Sequence, residues 1–266
     1  MSLLSLNHVV AVAHRGGSAL RPENTVPAFD HGVALGADWL ECDIHLSLDG
    51  EAVVLHDSTL DRTTDATGAV EDFTADALAR VDAGARFGAD QGWPYRGQGI
   101  GIPTLRFLLR RYSTLPFLVE IKGERIEVAD RALAVIRECD ADDRVVVAGF
   151  DDGVLRHVRQ VAPHLPTSAS RGEVQAALSR TAHSMEPLLT GYAVLQVPFV
   201  FRGERVLTEA LVRLARQAGI PVHSWIVDQP EDIQMVIDWG VSGVISDRPD
   251  LAVHAVRQAN ARRLSR

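Results

Sequence analysis

The chain has 266 residues, 46% of them hydrophobic, which is enough to bury a substantial core in one large domain or two small ones. Lys and Arg total 27 against 35 Asp and Glu, a net charge of −8 that argues against nonspecific binding to nucleic acid or to an anionic membrane surface. Any cationic site for an anionic ligand must therefore be local.

Short β-branched runs alternate with helix-patterned segments along the whole chain. The predicted strands are HVVAVA (8–13), WLECDIHL (39–46), AVVLH (52–56), PFLVEI (116–121), RVVVAGF (144–150), YAVLQV (192–197), PVHSWIV (221–227) and GVSGVIS (240–246). The helical patterns are VPAFDHGVALG, TLRFLLRRY, RIEVADRALAVIREC, DGVLRHVRQVA, VLTEALVRLARQAG and PEDIQMVIDWG, several of which close on Gly, a common helix stop. Thr25 is placed to cap the first helix, with Pro27 in its first turn. This βαβα rhythm implies a mainly parallel sheet with helices outside it. Eight strands in a chain of this length fit an α/β fold of the TIM type, a (β/α)8 barrel. A doubly wound open sheet is the competing architecture.

Residues 57–103 break the rhythm, being rich in Gly, Asp and Thr. A connection that long is usually functional. The expected organisation is one catalytic barrel domain over 1–266, with 57–103 as an insertion covering the active site. No run approaches the roughly 18 apolar residues of a membrane span. The start of the chain lacks the basic region and cleavage site of a secretory signal, and two cysteines, Cys42 and Cys139, do not make a disulfide framework. A cytoplasmic protein without stable membrane insertion is expected.

Within WLECDIHL, Glu41 and Asp43 share one strand face and Cys42 takes the other. Two carboxylates on an inward face need a cation, a basic partner or a shared proton. EIK repeats the pattern, so Glu120 and Lys122 point the same way. Three carboxylates would suit Mg²⁺ or Ca²⁺ rather than zinc. Set against this is an internal ion pair with no metal. His14 and His56 each end a strand, where a side chain that titrates near neutrality can act as acid or base. Arg15 offers a planar fork of donors to an anion, while Gly16 and Gly17 let the backbone turn. Glu23 and Asn24 are expected to organise that loop. His45 shares the parity of Glu41 and Asp43, and Trp225 either lines the site or packs in the core.

In chain order, HRGG with RPENT, ECDIHLSLDG, VVLHDSTLDRTTDATG, IPTL, EIK, and SWIVD followed by GVSGVISDRPD resemble the motifs of the glycerophosphodiester phosphodiesterases. The resemblance spans nearly the whole chain. It implies a TIM-type barrel and metal-dependent cleavage of a small-molecule glycerophosphodiester to glycerol 3-phosphate and an alcohol, through a cyclic phosphate. It implies His14 and His56 as the acid–base pair, Glu41, Asp43 and Glu120 as ligands of one divalent ion, Mg²⁺ or Ca²⁺, and Arg15 and Lys122 on the phosphate. Two positions depart from the pattern. Arg106 stands where an acidic residue commonly follows PTL, and Asp228 where the family often has Asn. The alternatives are a lysophospholipase D-like or sphingomyelinase D-like enzyme, and a non-catalytic phosphodiester-binding barrel. The first needs an apolar acyl site and membrane access, and the acidic net charge counts against it.

Overall fold

The computed structural model describes residues 3–188 and 191–264. Strand β1 (Val10–Ala13) leads through a single 3₁₀ turn at His14–Gly16 into α1 (Val26–Leu35). Then come β2 (Trp39–Leu46), β3 (Ala52–Val54), α2 (Ala75–Leu78), α3 (Leu105–Arg111), β4 (Phe117–Ile121), α4 (Ile126–Glu138), β5 (Val145–Gly149), α5 (Asp152–Val161) and α6 (Arg171–Ala182). The chain continues through β6 (Leu195–Pro198), a small hairpin of β7 (Val200–Phe201) and β8 (Glu204–Arg205), α7 (Glu209–Gln217), β9 (Val222–Trp225), α8 (Pro230–Trp239), β10 (Gly243–Ser246) and α9 (Pro249–Leu264).

Seven strands run parallel in the order β5–β4–β2–β1–β10–β9–β6. The gap between β5 and β6 is bridged by a short extended stretch, in which Thr167 pairs with Val147 and Ser168 with Val194, both parallel. That stretch, fifth in chain order, brings the staves to eight, and the sheet curls into a TIM-type (β/α)8 barrel. The expected run 52–56 is not a stave. Its core, β3, folds back antiparallel on β2, with His45 opposite Val53. Only residues 47–51 separate the two strands, and a parallel crossover needs about a dozen residues or more. The true fifth stave, within PTSAS, has no β-branched run to announce it. Helices α6 and α9 were also absent from the expected pattern; of the α6 side chains only Ala177 is buried, so its apolar stripe is faint.

Strand parity sorts the core. From β2, Leu40, Cys42 and Ile44 face outward into the main apolar layer under the helices. Trp39 faces inward with Val12, Leu118, Val146, Ala148, Val194 and Ile245 to fill the barrel axis. Residues 57–103 carry a satellite core in which Leu60, Val70, Leu78 and Ile102 pack on Val53 and Leu55. Thr25 does occupy the position before α1, but its hydroxyl donates to the Pro22 carbonyl at 2.6 Å and does not cap the helix. Among the described residues no helix is long and apolar enough to cross a membrane.

His223 lies inside the barrel, edge-on to Trp39 with ring centroids 5.6 Å apart, and is 2% exposed. Burial pushes its pKa down from 6.5 to about 4. A proton therefore binds the unfolded chain more readily than the folded one between those values, so stability falls as pH drops through that window. Urea midpoints measured between pH 7 and pH 4 should show His223→Leu losing part of this acid dependence, worth up to about 3 kcal/mol. Identical pH slopes for the two proteins would contradict the assignment.

Candidate active site

The site is assembled at the end of the barrel to which β1, β2 and β4 deliver their C-terminal residues. Arg15 leaves β1 with a left-handed backbone, φ 50°. This unusual conformation turns its N–H onto Glu41, 2.8 Å from Oε2. Gly16 lets α1 pass close by, since a Cβ there would lie 2.7 Å from the Ala28 and Phe29 backbone. The Arg15 guanidinium then sits between Glu23, at 2.9 Å, and Asp43, at 3.2 Å. Asn24, also left-handed, donates its side-chain amide to Asp43 at 2.8 Å. Glu23 and Asn24 thus organise the loop through side-chain hydrogen bonds, one to the cation and one to the buried carboxylate.

Glu41, Asp43 and Glu120 converge so that one oxygen from each lies within 4.8 Å of the others. Lys122 reaches Asp43 at 2.7 Å and also pairs with Glu120. Burial opposes ionisation of all three acids. For Asp43, Lys122 and then Arg15 overcome it and hold the carboxyl below its usual range. For Glu41 and Glu120, burial and then the Asp43 charge push the pKa up. Three hard oxygen donors, which when all ionised would carry more negative charge than their two basic neighbours offset, are a donor set that fits Mg²⁺ or Ca²⁺.

Both predicted histidines are held by a carboxylate at Nδ1. For His14 it is Asp247, at 2.5 Å, which also accepts from the Ser18 hydroxyl. For His56 it is Asp57, at 2.6 Å. A carboxylate can only accept, so Nδ1 carries the proton in each ring and Nε2 is the atom left for exchange. His14 Nε2 stands 3.9 Å from Glu41. Burial pulls the His14 pKa down, but Glu41 and Asp247 outweigh it and the net direction is upward. Burial holds His56 below its ordinary value, only partly countered by Asp43.

Five groups here carry roles that reading the sequence missed. Arg62 bonds Asp57 at 2.7 Å and Glu23 at 2.7 Å, joining the His56 support to the Arg15 support. Asp57 was visible beside His56, whereas Asp247 lies 233 residues from His14 and no local pattern pairs them. His45 braces the His56 backbone carbonyl at 3.1 Å. Asp228 accepts from the Ser246 hydroxyl at 2.7 Å and the Asp247 N–H at 2.8 Å, both through one oxygen. An Asn carboxamide oxygen would serve there equally, so this departure leaves the support of Asp247 intact. Arg106 pairs instead with Glu138 and, at 3.8 Å, Glu51.

His14, Arg15, Glu41, His56, Glu120, Lys122 and Trp225 all line one cavity of about 390 Å³, while Asp43 sits behind it, 1% exposed. Clustered acids, two carboxylate-held histidines and two cations at the mouth of a (β/α)8 barrel are the kinds of group an acid–base hydrolase of an anionic substrate requires. The glycerophosphoryl diester phosphodiesterase family profile matches residues 14–251. A glycerophosphodiester phosphodiesterase of Caldanaerobacter subterraneus is 34% identical over 94% of this chain and 98% of its own length. One from Bacillus subtilis is 30% identical over 97% and 89%. The solved structure of an Oleispira antarctica phosphodiesterase in complex with the product sn-glycerol-3-phosphate superposes with a TM-score of 0.79, at 24% identity, over 96% of this chain and 98% of that one. The chain belongs to the glycerophosphoryl diester phosphodiesterase family and is a phosphoric diester hydrolase.

Arg62→Met cuts the link between the two supports at a side chain that is 47% exposed. The expected result is a loss of kcat/KM of about tenfold or more. The melting temperature should barely move, because exposed ion pairs contribute at most about 1 kcal/mol. A large drop in melting temperature with unchanged turnover would assign Arg62 a purely structural role.

Proposed function

We propose that this enzyme hydrolyses glycerophosphodiesters to glycerol 3-phosphate and an alcohol in a reaction that depends on one divalent cation, with His14 and His56 transferring the protons. The observation that carries the reading is the meeting, in one cavity, of the Glu41–Asp43–Glu120 cluster with two histidines whose Nδ1 atoms are each tied to a carboxylate. Glu41, Asp43 and Glu120 would hold the ion, Mg²⁺ or Ca²⁺. When bound, it would neutralise charge on the phosphate and on an attacking oxygen.

The chain's own groups cover the remaining requirements. Arg15 and Lys122 offer positive charge to the phosphate oxygens. The glycerol 2-hydroxyl attacks phosphorus, losing its proton to one histidine, while the other protonates the departing alcohol oxygen. Water then opens the cyclic phosphate with the proton transfers reversed. Asp247 and Asp57 keep each ring oriented through Nδ1. Trp225 lines the cavity beside the substrate. We further propose a single catalytic domain over 1–266, with the insertion at 57–103 covering the active site on its His56 side, where Asp57 and Arg62 back that histidine. The partner proposed is the small-molecule substrate, without nucleic acid or stable membrane insertion. We place the enzyme in the cytoplasm, a reading supported by the free thiols of Cys42 and Cys139.

Glycerol 3-phosphate release from glycerophosphocholine should vanish in EDTA and return with Mg²⁺ or Ca²⁺. His14→Ala and His56→Ala should each lower kcat by about a hundredfold to ten-thousandfold at saturating metal. Metal-independent turnover, or either histidine variant at full rate, would overturn the corresponding part of the mechanism.

A further inference from the structure

The cavity extends from the carboxylates toward α6 and the β7–β8 hairpin, past Phe150, Val174, Leu178, Phe201 and Trp225. Its walls there are apolar, but two guanidinium groups stand on them. Arg171, the first residue of α6, lines the cavity and lies over the Phe150 ring, 5.4 Å from its centroid. Its backbone N–H donates to the Phe150 carbonyl at 3.0 Å, which anchors the start of α6 beside that ring. Arg202 is left-handed, φ 52°, and lies over Phe201 on the hairpin, also at 5.4 Å.

Among the described residues neither guanidinium is paired with a carboxylate. The acids around Arg171 are engaged elsewhere: Glu173 pairs with Arg159 at 2.7 Å, and Asp152 accepts from the Gly172 N–H at 3.2 Å. Glu204, exposed on β8, does not line the cavity. Among the described lining residues the only acids are Glu41 and Glu120, both members of the carboxylate cluster at the other end. In a chain of net charge −8, the outer part of this cavity is therefore a local cationic patch.

We propose that Arg171 and Arg202 form a subsite for a leaving alcohol that carries an anionic group, a carboxylate or a phosphate, so that the enzyme prefers anionic glycerophosphodiesters over cationic ones. The inference rests on the reading given under Proposed function. There the attacking 2-hydroxyl must reach a histidine beside the carboxylate cluster, which keeps the glycerol at that end. In-line displacement sets the leaving oxygen on the opposite side of phosphorus from the attacking one, so the leaving alcohol extends toward the two arginines. Their planar forks of N–H donors suit the oxygens of a carboxylate or phosphate. An ammonium group is held instead by carboxylates or by open aromatic faces. Here no carboxylate stands at the outer end, and Phe150 and Phe201 each already carry a guanidinium on the ring.

The test compares glycerol 3-phosphate esters of three two-carbon alcohols: ethanolamine, ethylene glycol and glycolate, which are cationic, neutral and anionic. Glycerol 3-phosphate release is measured with saturating metal. At low ionic strength the wild type should show kcat/KM rising in that order, with the glycolate ester about tenfold above the ethanolamine ester. The ratio should shrink as NaCl is raised from about 20 mM to about 500 mM, because both arginines are exposed. Arg171→Gln and Arg202→Gln should each lower the ratio about threefold, and the double variant should bring it close to one. The ratio compares two substrates on one enzyme, so partial loss of folded protein in a variant does not change it. A wild-type ratio at or below one would overturn the anionic subsite, as would an anionic preference that survives in the double variant. Absence of glycerol 3-phosphate from all three esters, with metal present, would overturn the underlying function instead.

Discussion

The constraint on which this structure turns is the burial of three carboxylates at one end of a barrel whose axis is filled mainly by apolar side chains. Glu41 and Asp43 are 3% and 1% exposed, and Glu120 sits on the neighbouring strand with Asp43 directly across from it in register. Acids so placed are costly unless cations and hydrogen bonds meet them. Much of the local architecture answers that need. The left-handed turn at Arg15 presents an N–H to Glu41, while the left-handed Asn24 brings an amide to Asp43. Lys122 bridges Asp43 and Glu120.

The same charges give the histidines their setting. His14 is poised between Glu41 and Asp247, and His56 is tied to Asp57, which Arg62 connects through Glu23 back to Arg15. One continuous chain of ion pairs therefore runs from Arg15 to His56, both of which line the cavity. Such a network holds side chains in place more effectively than isolated pairs, because each member is already restricted by its neighbours. The cavity is correspondingly two-sided: ionic and crowded at the carboxylates, apolar and open toward α6 and the hairpin.

Strand parity made part of this legible in advance. The alternation in WLECDIHL separates Glu41 and Asp43 from Cys42, and the barrel places them as alternation requires, with Cys42 in the outer apolar layer. The eight-strand estimate matched the barrel's stave number through two compensating differences. AVVLH looked like a stave but hairpins back on β2, and the short stretch at 167–168 completes the ring with little apolar pattern of its own. Propensity reads runs of side chains, whereas a two-residue bridge is created by strands already in position on either side.

By itself the sequence determined the barrel rhythm, the inward face of the acids and the family likeness, because periodicity and local motifs are properties of neighbouring residues. It also supplied His14, Arg15, His56, Glu120 and Lys122 as strand-end candidates. Only the tertiary structure decided that Asp247 holds His14, that Arg62 joins two supports, and that α6 and the β7–β8 hairpin form an apolar arm beside the charged end. Those contacts join segments as distant as 233 residues, through pairings that exist only once the sheet has closed and brought the strand ends together.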